Sequence, residues 1–192
     1  MKIALASNNA GKVREFNELL GHQHELVTMA DLGIESPEET GLTFIENAIL
    51  KARFVAEHTD LPTLADDSGL CVPALGGAPG LYSSRYAGEP GNHQHNVAKL
   101  LENMQSLTGQ DRQAYFYCIV VYLQTATDPA PLIGEGRWHG IILDKPRGQG
   151  GFGYDPIFGA DDGKLSSAEL DAATKNKLSH RRQALQALNL PF

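Results

Sequence analysis

Cysteine is scarce in this chain, as are other features that would assign it to a specialised class of protein. Two cysteines, Cys71 and Cys118, occur among 192 residues, each in an apolar, strand-like context. Two isolated thiols make neither a disulfide framework nor a zinc site with paired ligands, so buried free thiols are expected. No apolar run approaches the length that crosses a bilayer, and a cytoplasmic location is therefore the default expectation.

Positive charge is also in deficit. The chain has 16 lysines and arginines against 23 aspartates and glutamates, a formal net charge of −7. An acidic chain repels polyanions, which argues against a nucleic-acid partner; affinity for phosphate must come from a local group of donors or a bridging cation. With 42% hydrophobic residues, the chain is long enough to form a single domain over 1–192.

Strands and helices alternate in the first third of the chain. Residues 2–6 and 24–29 are predicted strands, and the apolar spacing between them predicts a helix. Thr43 and Glu46 have the spacing of a capping box, which predicts the start of a second helix. The expected buried stripe of that helix consists of Phe44, Ile45, Ala48, Ile49, Ala52, Val55 and Ala56.

The middle of the chain is richer in strands. A short strand at 63–65 is expected to stop at Asp66, and 114–124 and 131–143 are predicted to be adjacent antiparallel strands. Helices are predicted at 92–104 and 174–188. The pattern predicts a mixed α/β fold in which an elongated central sheet is flanked by helices, with two lobes around an active-site cleft.

A short polar segment joins the first predicted strand to the first helix. It consists of Ser7, Asn8, Asn9, Ala10, Gly11 and Lys12. Free backbone N–H groups at a helix start, beside a lysine, bind phosphate. The segment is not a Walker A loop, because its glycine spacing differs and Val13 follows the lysine. An ordinary asparagine cap with an exposed lysine is the alternative.

Two adjacent carboxylates, Asp66 and Asp67, follow the predicted strand at 63–65. Alternation along a strand sends their side chains in opposite directions. A Mg²⁺ ion would relieve their repulsion, with Glu38 or Glu39 as a further ligand, and a carboxylate there can also act as a general base. The alternative is an Asp-Ser-Gly turn that uses its side chains for local hydrogen bonds.

Glycines and aromatic residues are concentrated at 148–156, and basic residues near the carboxyl end. So many glycines indicate unusual backbone dihedrals or a close approach of the backbone to another group. A base stacked on Phe152 or Tyr154 is the functional interpretation, and a flexible hairpin is the alternative. Lys175 lies five positions before His180 and so off its helical face, and convergence of the two with Arg181 would require a break or turn between Asn176 and Ser179. A solvated basic face is the alternative there.

Together these segments resemble the non-canonical purine nucleotide pyrophosphatase family, also called inosine or xanthosine triphosphate pyrophosphatases. Five blocks occur in the family's order, at 7–16, 38–53, 64–86, 150–158 and 179–185. The resemblance implies Mg²⁺-assisted hydrolysis of ITP, dITP or XTP to the monophosphate and pyrophosphate, by a homodimer. The family often has threonine and glycine at the positions of Ser7 and Asn8; serine keeps the hydroxyl, whereas Asn8 can alter the loop backbone.

The resemblance also implies roles for individual residues. The 7–12 loop, Lys51 and Ser68 would hold the triphosphate, and Asp67 would accept a proton from water and face the metal, with Glu39 as its partner. Glu38 and Asp66 remain alternatives as metal ligands. The residues expected around the base are Phe152, Gly153, Tyr154, Asp155, Lys175, His180 and Arg181.

Lysine and arginine side chains only donate hydrogen bonds, which suits a purine with a 6-oxo acceptor better than adenine with its 6-amino donor. Two other functions compete with this interpretation. One is the related septum-formation type of nucleotide pyrophosphatase, and the other is a nucleotide sensor that binds phosphate without activating water.

Overall fold

The structure is a computed structural model that describes residues 1–89, 91–160 and 163–190. Its strands are β1 (Lys2–Leu5), β2 (Glu25–Thr28), β3 (Thr63–Cys71), β4 (Gln113–Leu123), β5 (Leu132–Ile142), β6 (Phe158–Ala160) and β7 (Leu165–Ser166). Its α-helices are α1 (Ala10–Leu20), α2 (Phe44–Glu57), α3 (His93–Asn103), α4 (Ala172–Leu178) and α5 (His180–Leu188). None of these helices has the length and apolar character that a membrane span demands.

The seven strands form one mixed sheet in the order β2-β1-β3-β4-β5-β6-β7. β1 pairs in parallel with β2 and β3, with Lys2 opposite Glu25 and Ala4 opposite Thr63. β6 pairs antiparallel with both β5 and β7. The fold is therefore the predicted mixed α/β class, with a central sheet and flanking helices.

The chain divides into two compact units. The first contains Met1–Asp67, Cys118–Gly136 and the chain from His180 onward, and the second contains Ser68–Tyr117 and Arg137–Ser179. The first unit has its own apolar core, built from β1, α1, β3, β4 and α5 around Phe16 and Leu185. The second has a core in which Phe116, Trp138 and Phe158 pack together.

Helix α2 begins where the sequence predicts, because Thr43 is its N-cap. The Thr43 hydroxyl accepts a hydrogen bond from the Glu46 backbone N–H at 3.3 Å. The Glu46 carboxylate accepts from the Leu42 backbone N–H and the Thr43 hydroxyl, at 2.8 and 2.9 Å. The predicted buried stripe is wrong at Ile45, which is 38% exposed. Asn47 and Lys51 lie on the buried face because their polar atoms contact Asp67 there.

The predicted helix at 174–188 is wrong as a single element. Ser179 is extended, with ψ 148°, so the chain leaves the helical path between α4 and α5. Ser179 also marks the end of the second unit's chain. Lys175 and the His180–Arg181 pair therefore belong to different helices and different units.

Two glycines of β5 allow α5 to lie directly on the strand within the first unit. A Cβ atom at Gly134 would collide with the Ala184 carbonyl oxygen, and one at Gly136 would collide with the His180 carbonyl oxygen. Side chains at these positions would force the helix away from the strand. The beginning of α5, with His180 and Arg181, is thus held in backbone contact with β5.

Candidate active site

The predicted 7–12 loop follows β1, but its residues 10–12 already belong to α1, and its hydrogen bonds begin the helix. The Asn9 side chain accepts from the backbone N–H groups of Gly11 and Lys12, at 3.0 and 3.1 Å. The expectation that the helix begins with free N–H groups is therefore wrong for these two, because the asparagine cap uses them. Ser7 accepts from the Asn9 N–H, and the Asn8 side chain donates to Ser36 at 3.3 Å.

Asp66 and Asp67 lie inside β3, which continues to Cys71, so the prediction that the strand ends before them is wrong. Asp66 is only 1% exposed. Its carboxylate lies 2.9 Å from Lys12 Nζ and 3.5 Å from Arg181 Nε. Burial raises the pKa of Asp66, but Lys12, Arg181 and Lys51 outweigh it and lower the pKa below its usual range. These cations let a charged residue stay within a buried strand.

Asp67 has different neighbours, as alternation along a strand predicts. Its Oδ2 accepts from the Asn47 amide at 3.2 Å, and its Oδ1 lies 3.4 Å from Lys51 Nζ. Burial raises the pKa of Asp67, although Lys51 and Lys12 oppose the increase. Two adjacent carboxylates thus have opposite pKa shifts, and Asp67 is the stronger base.

Lys51 connects Asp67 to the acidic segment before α2. Its Nζ lies 2.6 Å from Glu39 Oε1, so one ammonium contacts two carboxylates. Burial lowers the pKa of Lys51, but the carboxylates of Asp67, Asp66 and Glu39 raise it overall. Glu38 is exposed, whereas Glu39 is half-buried. Of the two glutamates, Glu39 is therefore the one that shares a cation with Asp67.

Arg181 and His180 begin α5 in the first unit, and both are buried. Arg181 Nη1 lies 2.6 Å from Glu15 Oε2 on α1, and its Nε faces Asp66. The alternative of a solvated basic face is therefore wrong for these two residues. The guanidinium joins the helix that follows the 7–12 loop to the strand that carries Asp66.

In the second unit, the glycine-rich segment surrounds Asp155, which is 3% exposed. Its Oδ2 accepts from Lys175 Nζ and the Phe152 backbone N–H, both at 2.7 Å, and its Oδ1 accepts from the Ser167 hydroxyl at 2.8 Å. Lys175 Nζ also lies 5.2 Å from the centre of the Phe152 ring. A cation, a carboxylate and an aromatic ring therefore form one cluster.

Three of the four glycines at 148–156 adopt the unusual dihedrals that their density predicts. Gly151 and Gly153 have φ values of 70° and 62°, and a Cβ atom at Gly151 would collide with the Asp155 carboxylate. Tyr154 packs in the second unit's core, and its hydroxyl donates to the Ser83 carbonyl at 2.9 Å. Phe152 is half-buried, so it is the more accessible of the two aromatic residues considered for base stacking.

The structure thus groups the predicted residues within each unit. Lys12, Asp66 and Arg181 form one cluster of the first unit, and Glu39, Lys51 and Asp67 form another. In the second unit Phe152, Asp155 and Lys175 form a cluster, while Ser68 lies half-buried on β3.

Sequence reasoning missed three residues that contact these clusters: Glu15, Asn47 and Ser167. Asn47 lies four residues before Lys51, so the two share a helical face, and this spacing is a signal that would have found it. Glu15 lies beside the apolar stripe of α1, and its partner Arg181 is 166 positions away in the chain. Ser167 is distant from Asp155 in the chain and has no sequence signal.

The fold and these clusters define a class of protein: an α/β protein whose first unit pairs lysines with carboxylates beside a strand–helix loop. The chain matches the Ham1 family over residues 3–190 and belongs to it. It is 54% identical over 188 residues to a dITP/XTP pyrophosphatase of Escherichia coli (strain K12), covering 97% of this chain and 95% of that protein. A protein of the same description from Halorhodospira halophila is 52% identical over 189 residues, covering 98% and 95%.

Solved structures support the same assignment. A HAM1 protein from Coxiella burnetii has a TM-score of 0.88 and 46% identity, covering 98% of this chain and 96% of that one. A nucleoside-triphosphatase/dITP/XTP pyrophosphatase from Mycobacterium abscessus has a TM-score of 0.78 and 41% identity, with both chains fully covered. The likeness therefore extends over the whole fold.

Proposed function

We propose that this chain hydrolyses non-canonical purine nucleoside triphosphates, namely ITP, dITP and XTP, to the monophosphate and pyrophosphate. The observation that carries the proposal is the 54% identity, over 97% of the chain, to a dITP/XTP pyrophosphatase. The reaction removes such nucleotides from the pool of precursors. The chain is thus a hydrolase that acts on a phosphoric anhydride bond.

Asp67 is the proposed general base. A water oxygen attacks the α-phosphorus, its proton passes to the Asp67 carboxylate, and the bond to the oxygen that bridges the α- and β-phosphates breaks. Pyrophosphate leaves with the electron pair of that bond. The raised pKa of Asp67 strengthens it as a proton acceptor. Asn47 donates to Oδ2 at 3.2 Å and so fixes the orientation of the carboxylate.

The proposed triphosphate ligands in the first unit are the 7–12 loop and Lys51, and Ser68 is proposed for the second. Attack on the α-phosphorus increases the negative charge on the phosphate oxygens and the leaving group, which lysine ammonium groups stabilise. Lys12 Nζ already lies 2.9 Å from Asp66, which holds the lysine in place at the start of α1. No covalent intermediate is required.

Glu39 and Asp67 are the proposed ligands of Mg²⁺. In the described part of the chain, no group of three or more acidic, histidine or cysteine side chains is arranged to hold a metal ion. A pair of carboxylates nevertheless fits Mg²⁺, which commonly binds through one or two carboxylates, waters and substrate phosphates. The shared ammonium of Lys51 shows that these two carboxylates converge on one cation. A bound Mg²⁺ would neutralise charge on the triphosphate oxygens.

Recognition of the base is proposed for 152–155 and Lys175 in the second unit, and for His180 and Arg181 in the first. Phe152 offers a ring for stacking, and Gly153, Tyr154 and Asp155 fix the segment around it. Lysine and arginine donors match a 6-oxo group, whereas the 6-amino group of adenine would leave buried donors unmatched. This argument separates inosine and xanthosine from adenosine.

The remaining expectations are proposals of the same kind. We propose that 1–192 acts as one nucleotide pyrophosphatase domain, in a cytoplasmic homodimer. The net charge of −7 supports the absence of a nucleic-acid partner.

A panel of nucleoside triphosphates tests the function. The purified chain, incubated with Mg²⁺, is expected to release pyrophosphate and monophosphate from ITP, dITP and XTP with a higher kcat/KM than from ATP. Binding without pyrophosphate release would indicate a nucleotide sensor. Preferential cleavage of pyrimidine triphosphates would instead favour the septum-formation type of activity.

A further inference from the structure

The ammonium of Lys51 contacts both carboxylates that are proposed as metal ligands, those of Glu39 and Asp67. Its Nζ lies 2.6 Å from Glu39 Oε1 and 3.4 Å from Asp67 Oδ1, and the lysine is only 7% exposed. A divalent cation bound by the same two oxygens would lie close to that ammonium. Because two cations repel each other strongly at such separations in a partly desolvated site, both cannot hold these oxygens together.

We propose that Lys51 is an internal counter-ion that holds Glu39 and Asp67 until the nucleotide arrives, so that divalent metal binding depends on the nucleotide. The inference rests on the proposed function, because the arriving triphosphate supplies the negative charge to which the ammonium moves. Lys51 then exchanges carboxylate partners for phosphate partners. The vacated oxygens of Glu39 and Asp67 would then hold the metal, with phosphate oxygens as further ligands.

The position of Lys51 on α2 suits this exchange. Lys51 is a helical residue one turn after Asn47, which donates to the other oxygen of Asp67 at 3.2 Å. Asn47 therefore holds Asp67 in place when the ammonium leaves Oδ1. Glu39 precedes α2 in a segment without regular secondary structure, and Lys51 contacts both this residue and Asp67 on β3.

Exchange of this kind couples two ligands. Without nucleotide, the Lys51 ammonium hinders metal binding, and once released from the carboxylates it favours nucleotide binding. Each ligand therefore raises the affinity of the protein for the other ligand by the same factor. The nucleotide-free enzyme then binds little divalent metal, and the metal enters together with the triphosphate. The coupling is a property of this lysine and not of the carboxylates alone.

Direct Mn²⁺ binding tests the inference. Mn²⁺ prefers the same oxygen ligands as Mg²⁺, and the electron paramagnetic resonance signal of free Mn²⁺ measures its binding without any turnover. Lys51→Met removes the ammonium while keeping an unbranched side chain. Without nucleotide, we expect Lys51→Met to bind Mn²⁺ about tenfold more tightly than the unmodified chain, or better. Adding a non-hydrolysable ITP analogue should raise the Mn²⁺ affinity of the unmodified chain much more than that of Lys51→Met.

Two variants control the measurement. Arg53→Met removes one positive charge from an exposed position of the same helix, and its Mn²⁺ affinity should equal that of the unmodified chain. Adding Glu39→Gln to Lys51→Met should abolish the gain, which shows that a folded carboxylate pair produces it. Equal nucleotide-free Mn²⁺ affinities for Lys51→Met and the unmodified chain would overturn the inference. An unmodified chain that releases no pyrophosphate from ITP would overturn the proposed function instead, whatever the Mn²⁺ result.

Discussion

Glu15 and Arg181 are 166 positions apart in the chain, yet Oε2 of the glutamate and Nη1 of the arginine lie 2.6 Å apart, both buried. Because Arg181 also faces Asp66, the pair links α1, which follows the 7–12 loop, to the strand that carries the acidic pair. Removing Glu15 takes away the shorter of these two contacts and leaves the buried guanidinium with the 3.5 Å contact to Asp66. Breaking a buried ion pair from one side is far more costly than losing a surface pair.

The first prediction therefore concerns stability. Glu15→Ala is expected to lower the free energy of unfolding by about 3–5 kcal/mol, as measured by urea denaturation. Glu18→Ala removes an exposed glutamate from the same helix and should change the free energy of unfolding by about 0.5 kcal/mol or less. Similar losses in the two variants would contradict the structural role assigned to the Glu15–Arg181 pair.

The second prediction concerns Asp67 in catalysis. Asp67→Asn keeps the shape of the side chain but removes the charge, and it is expected to lower kcat for ITP by at least about 100-fold, as is typical for a general base. Pyrophosphate release measures the loss, and circular dichroism checks the fold. Near-normal turnover would rule out Asp67 as the base.

Asp66 and Asp67 give a third prediction, in which adjacent carboxyl groups have opposite effects on stability. The pKa of Asp66 is lowered, so its ionised form stabilises the fold above the usual value of 3.8, and this contribution is lost as the pH falls below that value. The pKa of Asp67 is raised, so its ionisation destabilises the fold as the pH rises above 3.8.

Urea denaturation of Asp66→Asn and Asp67→Asn separates the two effects. The measurements should span about pH 3 to pH 7, in which protonation of paired carboxylates changes the free energy of unfolding. Asp66→Asn should lose part of the acid sensitivity of the unmodified chain. Asp67→Asn should gain stability relative to the unmodified chain as the pH increases. Parallel pH profiles for the two variants would contradict the opposite pKa shifts.

The fourth prediction concerns the choice of base, and α4 supplies a matched pair of lysines. Lys175 is buried against Asp155 and the Phe152 ring, whereas Lys177 is exposed. Lys175→Met is expected to lower the ratio of kcat/KM for ITP over ATP by about tenfold or more, because the buried donor for the 6-oxo group is lost. Lys177→Met should leave the ratio unchanged. An unchanged ratio in both variants would remove Lys175 from base recognition.

Local signals in the sequence predicted much of this fold. The Thr43 cap located the start of α2, and the apolar spacing around Phe16 located α1. These elements depend on residues that are neighbours in the chain, so a short window of sequence contains the information. The fold class follows from the alternation of such elements.

What the sequence did not predict depends on distant partners. Strand β3 continues through Asp66 and Asp67 because Lys12, Lys51 and Arg181 balance their charges, and all three come from other segments. On α2, Lys51 is buried and Ile45 is exposed, which reverses what apolar periodicity favours, since the Lys51 ammonium contacts carboxylates. Charge pairing of this kind leaves no periodic pattern in the sequence.

The glycines at 134 and 136 extend this reasoning to evolution and design. The carbonyl groups of His180 and Ala184 on α5 lie directly against the backbone of β5. The absence of side chains at the two glycines therefore sets the distance between α5 and the sheet. Any larger residue there would tilt or lift the helix, and Arg181 would move with it even though its own sequence neighbours were untouched. A method that scores residues by their side-chain contacts would overlook both glycines. A measured map of tolerated substitutions should show that the glycines accept replacement as poorly as the charged residues that they position.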